Sequence, residues 1–347
     1  MRIVLPLIAA FLCVCLPCSA AEFTAPAAPD VAQRYMPDET ETFSEGLLYI
    51  VRTAIREINP SMHEAVEVCA CIVAVAILLA IITNLLNAHR NLLSICGVAI
   101  ICVLMMQTAN SLIRLGTDTA QNITQYWRLL TPVMTSALAT QGAVGKSGVL
   151  FAASVFVNTL LSGAIADVLA PLIYCFLCMG IGGRISNQVF IINIKKFIKW
   201  LIVWGLKITL YIFTGYISIT GIVSGSADAA TLKATKLTIS SMVPVIGNIL
   251  SDASEAVIAG AGIMKNAAGI YGLFTFLAVT IGPFLHIGVQ YLLLKLSGGI
   301  CQIIGASQIG GVVQDFSDAM GIVLAMIGTV CVISLISTAS FIQGAGV

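Results

Sequence analysis

The chain has 347 residues, 59% of them hydrophobic and only 10% charged, with a mean hydropathy of +1.01. Soluble domains carry about 25% charge, so the composition excludes an ordinary soluble domain and points to an all-α polytopic membrane protein. A net charge of +1 gives no electrostatic footprint for nucleic acid.

Residues Met1 to Ala21 have the layout of a secretory leader. Arg2 forms the positive start, Ile3 to Pro17 the apolar core, and Cys18-Ser19-Ala20 the small residues that cleavage needs. A lipid-anchored Cys18 is disfavoured, because Pro17 occupies a position that wants a small residue. Cleavage would leave the next segment, 22–62, outside the cytoplasm. That segment is acidic: nine of the sixteen acids fall between Glu22 and Glu67. It predicts an amphipathic helix from Thr42 to Ile58, ending before Asn59-Pro60.

Residues 63–128 read as a transmembrane hairpin. Its spans are predicted at Val66–Leu86 and Leu92–Ile113, joined by a turn carrying His89 and Arg90 and followed by a polar interval from Arg114 to Arg128. A helical membrane domain, 129–347, completes the chain. Near its start, Gly142 to Ser147 invites comparison with a phosphate-binding loop, but that motif needs glycine where Thr140 stands and a strand before it. No nucleotide is expected.

Gly148 to Met179 is an apolar run that as one helix would be about 48 Å long, against a hydrocarbon core of about 30 Å. It must tilt, break or leave the bilayer, and Pro171 is the natural break. Asp167, just before it, is either an intramembrane acid with a function or a helix-end acid at the interface. Arg184, Lys195, Lys196 and Lys199 follow with no acid between them, which places this loop on the cytoplasmic side. In the fourth predicted span, Trp200–Val223, Lys207 can snorkel or pair with Asp167; snorkelling is the favoured reading.

The stretch from Lys233 to Asn266 behaves like neither a membrane span nor a soluble helix. Pro244, with Ser240 and Ser241 before it, predicts a helix start near Val243. From there Asn248, Asp252, Glu255, Ala259, Gly262 and Asn266 recur at helical spacing on an otherwise oily helix. Two carboxylates facing lipid would cost about 2.5–3.5 kcal/mol each. The stripe is therefore a face at the membrane surface, or it lines a polar path or meets a partner subunit.

Ala267 to Ile300 is again long and apolar, with Pro283 and His286 inside it and Lys295 near its end. His286 is a proton-relay candidate or a packed neutral imidazole bonded to a carbonyl, the latter being commoner. A Gly-rich turn leads to Asp315 and Asp318 and a last span at Ala319–Ile342. Six spans with an outside N-terminus put His89-Arg90, Arg184–Lys199 and Lys295 in the cytoplasm. Pro132 and Pro171 have the same spacing as Pro244 and Pro283, and the first proline of each pair sits in a similar phrase, TPVM and VPVI. This suggests two parallel repeats, 129–225 and 241–343, although few residues are identical between them.

Eleven cysteines fall in the leader or in apolar runs, where Cys packs as a small hydrophobe. Cys175 and Cys178 lack the second pair or histidine that a metal would need. No metal, no cofactor and no enzyme chemistry is expected.

The sequence resembles the stage III sporulation protein AE family of endospore-forming bacteria. The resemblance is carried by Thr231-Leu232-Lys233 with Lys236, by Val243-Pro244-Val245-Ile246-Gly247, by Leu250-Ser251-Asp252-Ala253 and by Lys265-Asn266 with Gly269. It continues through Gly282-Pro283 and Lys295-Leu296, and departs where Ile304 replaces the family's proline before Gly305. It implies a subunit of the transenvelope complex linking mother cell and engulfed forespore, embedded in the mother-cell membrane and needed for forespore development. The implied partners are other membrane subunits and the lipid bilayer. The family offers no active-site residues to carry over. A secondary transporter or permease for a small solute is the alternative, suggested by Asp167, Lys207 and His286 in apolar surroundings.

Overall fold

The computed structural model describes residues 25–37, 43–85, 90–140, 144–186, 188–219 and 267–344. Among them every regular element is helical: α1 (Asp30–Gln33), α2 (Phe43–Leu85), α3 (Arg90–Thr140), α4 (Val144–Gly163), a π-helical segment (Ala164–Leu169), α5 (Ala170–Ser186), α6 (Val189–Ile219), α7 (Ala267–Ile303) and α8 (Ser307–Gly344). The leader, the stretch from Lys233 to Asn266 and with it the start of the second expected repeat lie outside the described residues.

Two expected helix ends are absent, for the same reason. The end before Asn59-Pro60 does not occur, because α2 runs through it as one helix of 43 residues. Buried residues lie on both sides of the proline, Ile50 and Ala54 before it and Ala65, Cys69, Ile72 and Ala76 after it, and α2 packs on α7, a packing that offsets the lost helical hydrogen bond. The interval Arg114–Arg128 likewise lies inside α3, a helix of 51 residues. It is amphipathic rather than a loop: Arg114, Asp118, Gln125 and Arg128 are exposed while Leu112, Ile113, Ala120, Ile123 and Trp127 are buried. At 1.5 Å per residue α3 is about 76 Å long, so it extends well beyond a bilayer core of about 30 Å.

The long run around Pro171 also stays helical, over Ser147–Ser186. The break becomes a local widening, in which Ala170 N–H donates to Ile165 O, a π-type bond immediately before Pro171. Among the described residues, five helices are long and apolar enough to cross a membrane: Met62–Thr83, Leu92–Ala137, Ser147–Ser186, Ala268–Ile303 and Ser307–Ile342. The expected fourth span, Trp200–Val223, begins in α6, which is not one of the five; Lys195, Lys196 and Lys199 precede that span, Lys207 lies inside it, and residues 220–223 lie outside the described ones.

Helix α8 is the axis of the bundle. The apolar window of α8 is 94% buried, against 22% for α2, as expected of a helix that is apolar all round. It packs on α7, α3, α6, α5 and α4. Its hydroxyls are satisfied internally: Thr329, Ser334 and Thr338 each donate to the carbonyl four residues back. Ser337 accepts from Trp127 Nε1 at 3.2 Å and meets Ser154 Oγ at 2.8 Å, fastening α3 and α4 to the axis.

The α7–α8 turn is made at Gly305, with φ +92°. Ala306 N–H donates to Cys301 O at 3.0 Å and Gly305 N–H to Gln302 O at 3.1 Å, a Schellman cap that needs a residue free of the Cβ penalty. Ile304 in place of the family's proline therefore leaves the turn intact.

Outside the spans, the segment before α2 folds back over α7. Tyr35 lies against Gly282, where a β-carbon would come 2.7 Å from its hydroxyl, and it donates to Glu57 Oε2 at 2.6 Å. Burial first, then this bond and the carboxylate charge, push the Tyr35 phenol up to about 12 from 10.0. Because the folded-state value is raised, the contribution is complete below pH 10 and is lost as pH rises through about 12. Alkaline unfolding should therefore steepen over that window in the native chain, and Tyr35→Phe should remove the steepening.

Candidate functional site

Asp167 and Lys207, which the sequence offers as an alternative pair, are not joined in the structure. Asp167 is exposed on the π-helical segment and Lys207 is half-buried on α6, and no ion pair joins them among the described residues. Lys207→Gln should therefore change stability by less than about 1 kcal/mol, and Asp167→Asn should not alter the Lys207→Gln phenotype; sporulation and protein abundance measured for both variants check this. His286 lies on α7 beside a cavity of about 340 Å³ that Glu64 and Gln290 also line. No hydrogen bond from its imidazole to a carbonyl occurs among the described residues. Asn248, Asp252, Glu255 and Asn266 lie outside the described residues.

What the fold does assemble is a charge cluster on α8. The basic residues expected in a cytoplasmic loop sit on helices instead: Arg184 near the end of α5, and Lys195 and Lys199 one turn apart on α6. Asp315 and Asp318, one turn apart on α8, meet them. Lys195 Nζ lies 2.7 Å from Asp315 Oδ1 and Lys199 Nζ 2.8 Å from Asp318 Oδ2. Each carboxylate also has a looser cation: Arg184 Nε at 3.6 Å from Asp315 Oδ2, and Lys295 Nζ, from α7, at 3.7 Å from Asp318 Oδ1.

Burial grades the two halves. The Asp315 side chain is 4% exposed and that of Lys195 12%, whereas Asp318 and Lys199 are 22% and 30% exposed. The inner half is also tightly fitted: a β-carbon on Gly180 would sit 2.9 Å from Asp315 Oδ2, and one on Gly311 would meet the Arg184 guanidinium. These two glycines let α5 approach α8 closely enough for Arg184 to reach. Arg184 Nε and Asp315 Oδ2 are nevertheless buried without a hydrogen bond, so the inner pair relies on Lys195.

The cluster holds four cations against two acids, drawn from α5, α6, α7 and α8. Chemically it is a brace: it ties the three flanking helices to the axis through charge. Sequence reading found the cations and registered Asp315 and Asp318 without joining them. The usable signal was the pattern itself, two acids at i, i+3 and two lysines at i, i+4 in apolar surroundings, which can be buried together only as pairs. No group of three or more metal-ligating side chains occurs among the described residues.

The family described as stage III sporulation protein AE matches this chain over residues 33–345. A curated relative, the stage III sporulation protein AE of Bacillus subtilis (strain 168), is 22% identical over 210 residues, which is 60% of this chain and 53% of the relative. The match thus spans about half the length of that protein. No solved structure matches.

Proposed function

The chain belongs to the stage III sporulation protein AE family, and from that premise we propose that it is a non-enzymatic membrane subunit of a channel or secretion-like complex between mother cell and forespore, needed for forespore development. It acts in the mother-cell membrane with its mature N-terminus outside the cytoplasm, alongside other membrane subunits and without nucleotide or nucleic acid. The observation that carries the reading is the brace on α8: Asp315 and Asp318 each hold a lysine of α6 within 2.8 Å. Charges committed to each other in this way favour a fixed framework over a titrating or sliding relay.

Co-purification from sporulating cells tests the reading. With crosslinkers placed at positions 248, 252 and 255, the chain should capture other membrane proteins. Replacing Asp252 and Glu255 by Leu should leave abundance unchanged while assembly and forespore development fall. Normal sporulation of that double variant at normal abundance would exclude a partner role for the stripe. A second reading, a permease for a small solute, is favoured by the polar cavity beside His286. Uptake of a defined solute by liposomes containing this chain alone would select it.

A further inference from the structure

Helix α6 is packed on one side. Ile202, Leu206, Leu210 and Phe213 are buried where it meets α5, α8 and α4, and Lys195 and Lys199 turn inward to the carboxylates of α8. The other face is open and aromatic. Phe197, Trp200 and Trp204 are exposed on it and stack in sequence, with ring centroids 5.9 and 5.5 Å apart and planes 26° and 19° from parallel. Tyr211, two turns beyond Trp204, is exposed on the same face. Lys196 stands one turn before Trp200 on that face; it is exposed and makes no ion pair or hydrogen bond among the described residues.

Charge and hydrogen bonding are both unbalanced at this end of the bundle. Neither α5 nor α6 contains an acid. The brace sets four cations against two carboxylates, which leaves two positive charges over, and Lys196 adds a third. Arg184 has donors to spare as well: its side chain is 35% exposed, its Nε is buried without a hydrogen bond, and its guanidinium makes no hydrogen bond among the described residues. An arginine with five donors in a fixed fork, beside lysines that no acid neutralises, suits an anion.

We propose that the open face of α6 seats an anionic glycerophospholipid, its phosphate against Lys196 in the field of the surplus cations and an acyl chain along Trp200, Trp204 and Tyr211. The order of residues along the helix matches that ligand. Lysines 195, 196 and 199 give way within one turn to the indole of Trp200, and an apolar, aromatic face then continues for about 16 Å to Tyr211. Cation, indole and apolar face follow one another as headgroup, interface and chain do in a lipid leaflet. A soluble phosphate would meet the cations and leave the aromatic ladder uncovered; a lipid covers both. This seat goes beyond the subunit reading and needs only the single chain, so its failure and the failure of complex assembly are separate results.

The test reconstitutes the purified full chain in vesicles of phosphatidylcholine and phosphatidylglycerol, with bromine on the acyl chains of one lipid or the other. Bromine quenches an indole that it touches, so the exposed Trp200 and Trp204 report which lipid lies on α6, while Trp127 is buried. At equal mole fraction, brominated phosphatidylglycerol is expected to quench about threefold more than brominated phosphatidylcholine, a preference of the size that a few surface cations give, and high salt should reduce it. Lys196→Gln, on an exposed and unpaired side chain outside the brace, should remove about half of the preference, and Lys196→Arg should keep it. Arg128→Gln, an exposed cation beside the far end of α8, should behave as the native chain does, and excess glycerol 3-phosphate should not displace the lipid. Equal quenching by the two lipids, a preference that Lys196→Gln leaves whole or that Arg128→Gln reduces as much, or displacement by glycerol 3-phosphate would each overturn the proposal.

Discussion

Asp315→Asn is expected to lower the stability of the purified chain by about 3–5 kcal/mol, the cost of stranding a buried charge. The charge left behind is Lys195, whose side chain is 12% exposed and whose tight partner is Asp315, at 2.7 Å. Arg184 gives no relief, because it is a second cation of the same carboxylate, 3.6 Å from it, and is left beside Lys195 as a like charge. Removing both charges should therefore be milder than removing one: Lys195→Gln combined with Asp315→Asn should recover most of the loss, a coupling that a double-mutant cycle measures directly. Asp318→Asn should cost about 1 kcal/mol or less, since Asp318 and Lys199 are partly exposed and water can take up the orphaned lysine. Thermal or denaturant unfolding in detergent reads all four variants. Equal costs at 315 and 318 would mean that burial does not grade the cluster.

The same cluster shows what the sequence could and could not disclose. Helical class and membrane character were legible, because hydropathy and spacing are local properties of the chain, and the family was legible only through the resemblance of phrases such as Val243-Pro244-Val245-Ile246-Gly247. Helix ends were read less well, for a definite reason. Asn59-Pro60 and Arg114–Arg128 carry the local signs of a stop, but α2 is buried at Ile50 and Ala54 before the proline and from Ala65 to Ala76 after it, and α3 presents a continuous buried stripe from Leu112 through Leu130, so that tertiary packing overrode the local preference. The ion pairs were not legible at all as pairs. Lys195 and Asp315 are 120 residues apart, and nothing in a single sequence states which of several possible acids a lysine will face. Lys207, on the same helix as Lys195 and Lys199, has no ion-pair partner among the described residues.

Gly116→Ala is the clearest case in which a substitution normally favourable in a helix should be harmful here. In an exposed helix the change gains about 1 kcal/mol of propensity. At Gly116, however, a β-carbon would collide with Val323 Cγ1 on α8, with Ile287 and Ile327 also closing the site at 3.6 Å. None of these is the loose end of a long polar chain that could swing away into solvent. Overpacking of this kind costs about 1–3 kcal/mol, so the net effect should be destabilising, and Gly116→Leu should prevent the folded chain from accumulating. Val323→Ala alone should also destabilise, by opening a void. The double variant Gly116→Ala with Val323→Ala should be more stable than the sum of the two predicts, since the new methyl occupies the space of the lost one. A structural readout accompanies the energetic one. Pushing α3 off α8 would strain the Trp127 Nε1 bond to Ser337 about three turns further along, and Trp127 is buried while Trp200 and Trp204 are exposed. In a background with Trp200 and Trp204 replaced by Phe, Gly116→Ala should shift the Trp127 emission to longer wavelength, and adding Val323→Ala should reverse the shift. An unshifted spectrum with unchanged stability would mean that α3 and α8 do not touch at Gly116 in the membrane.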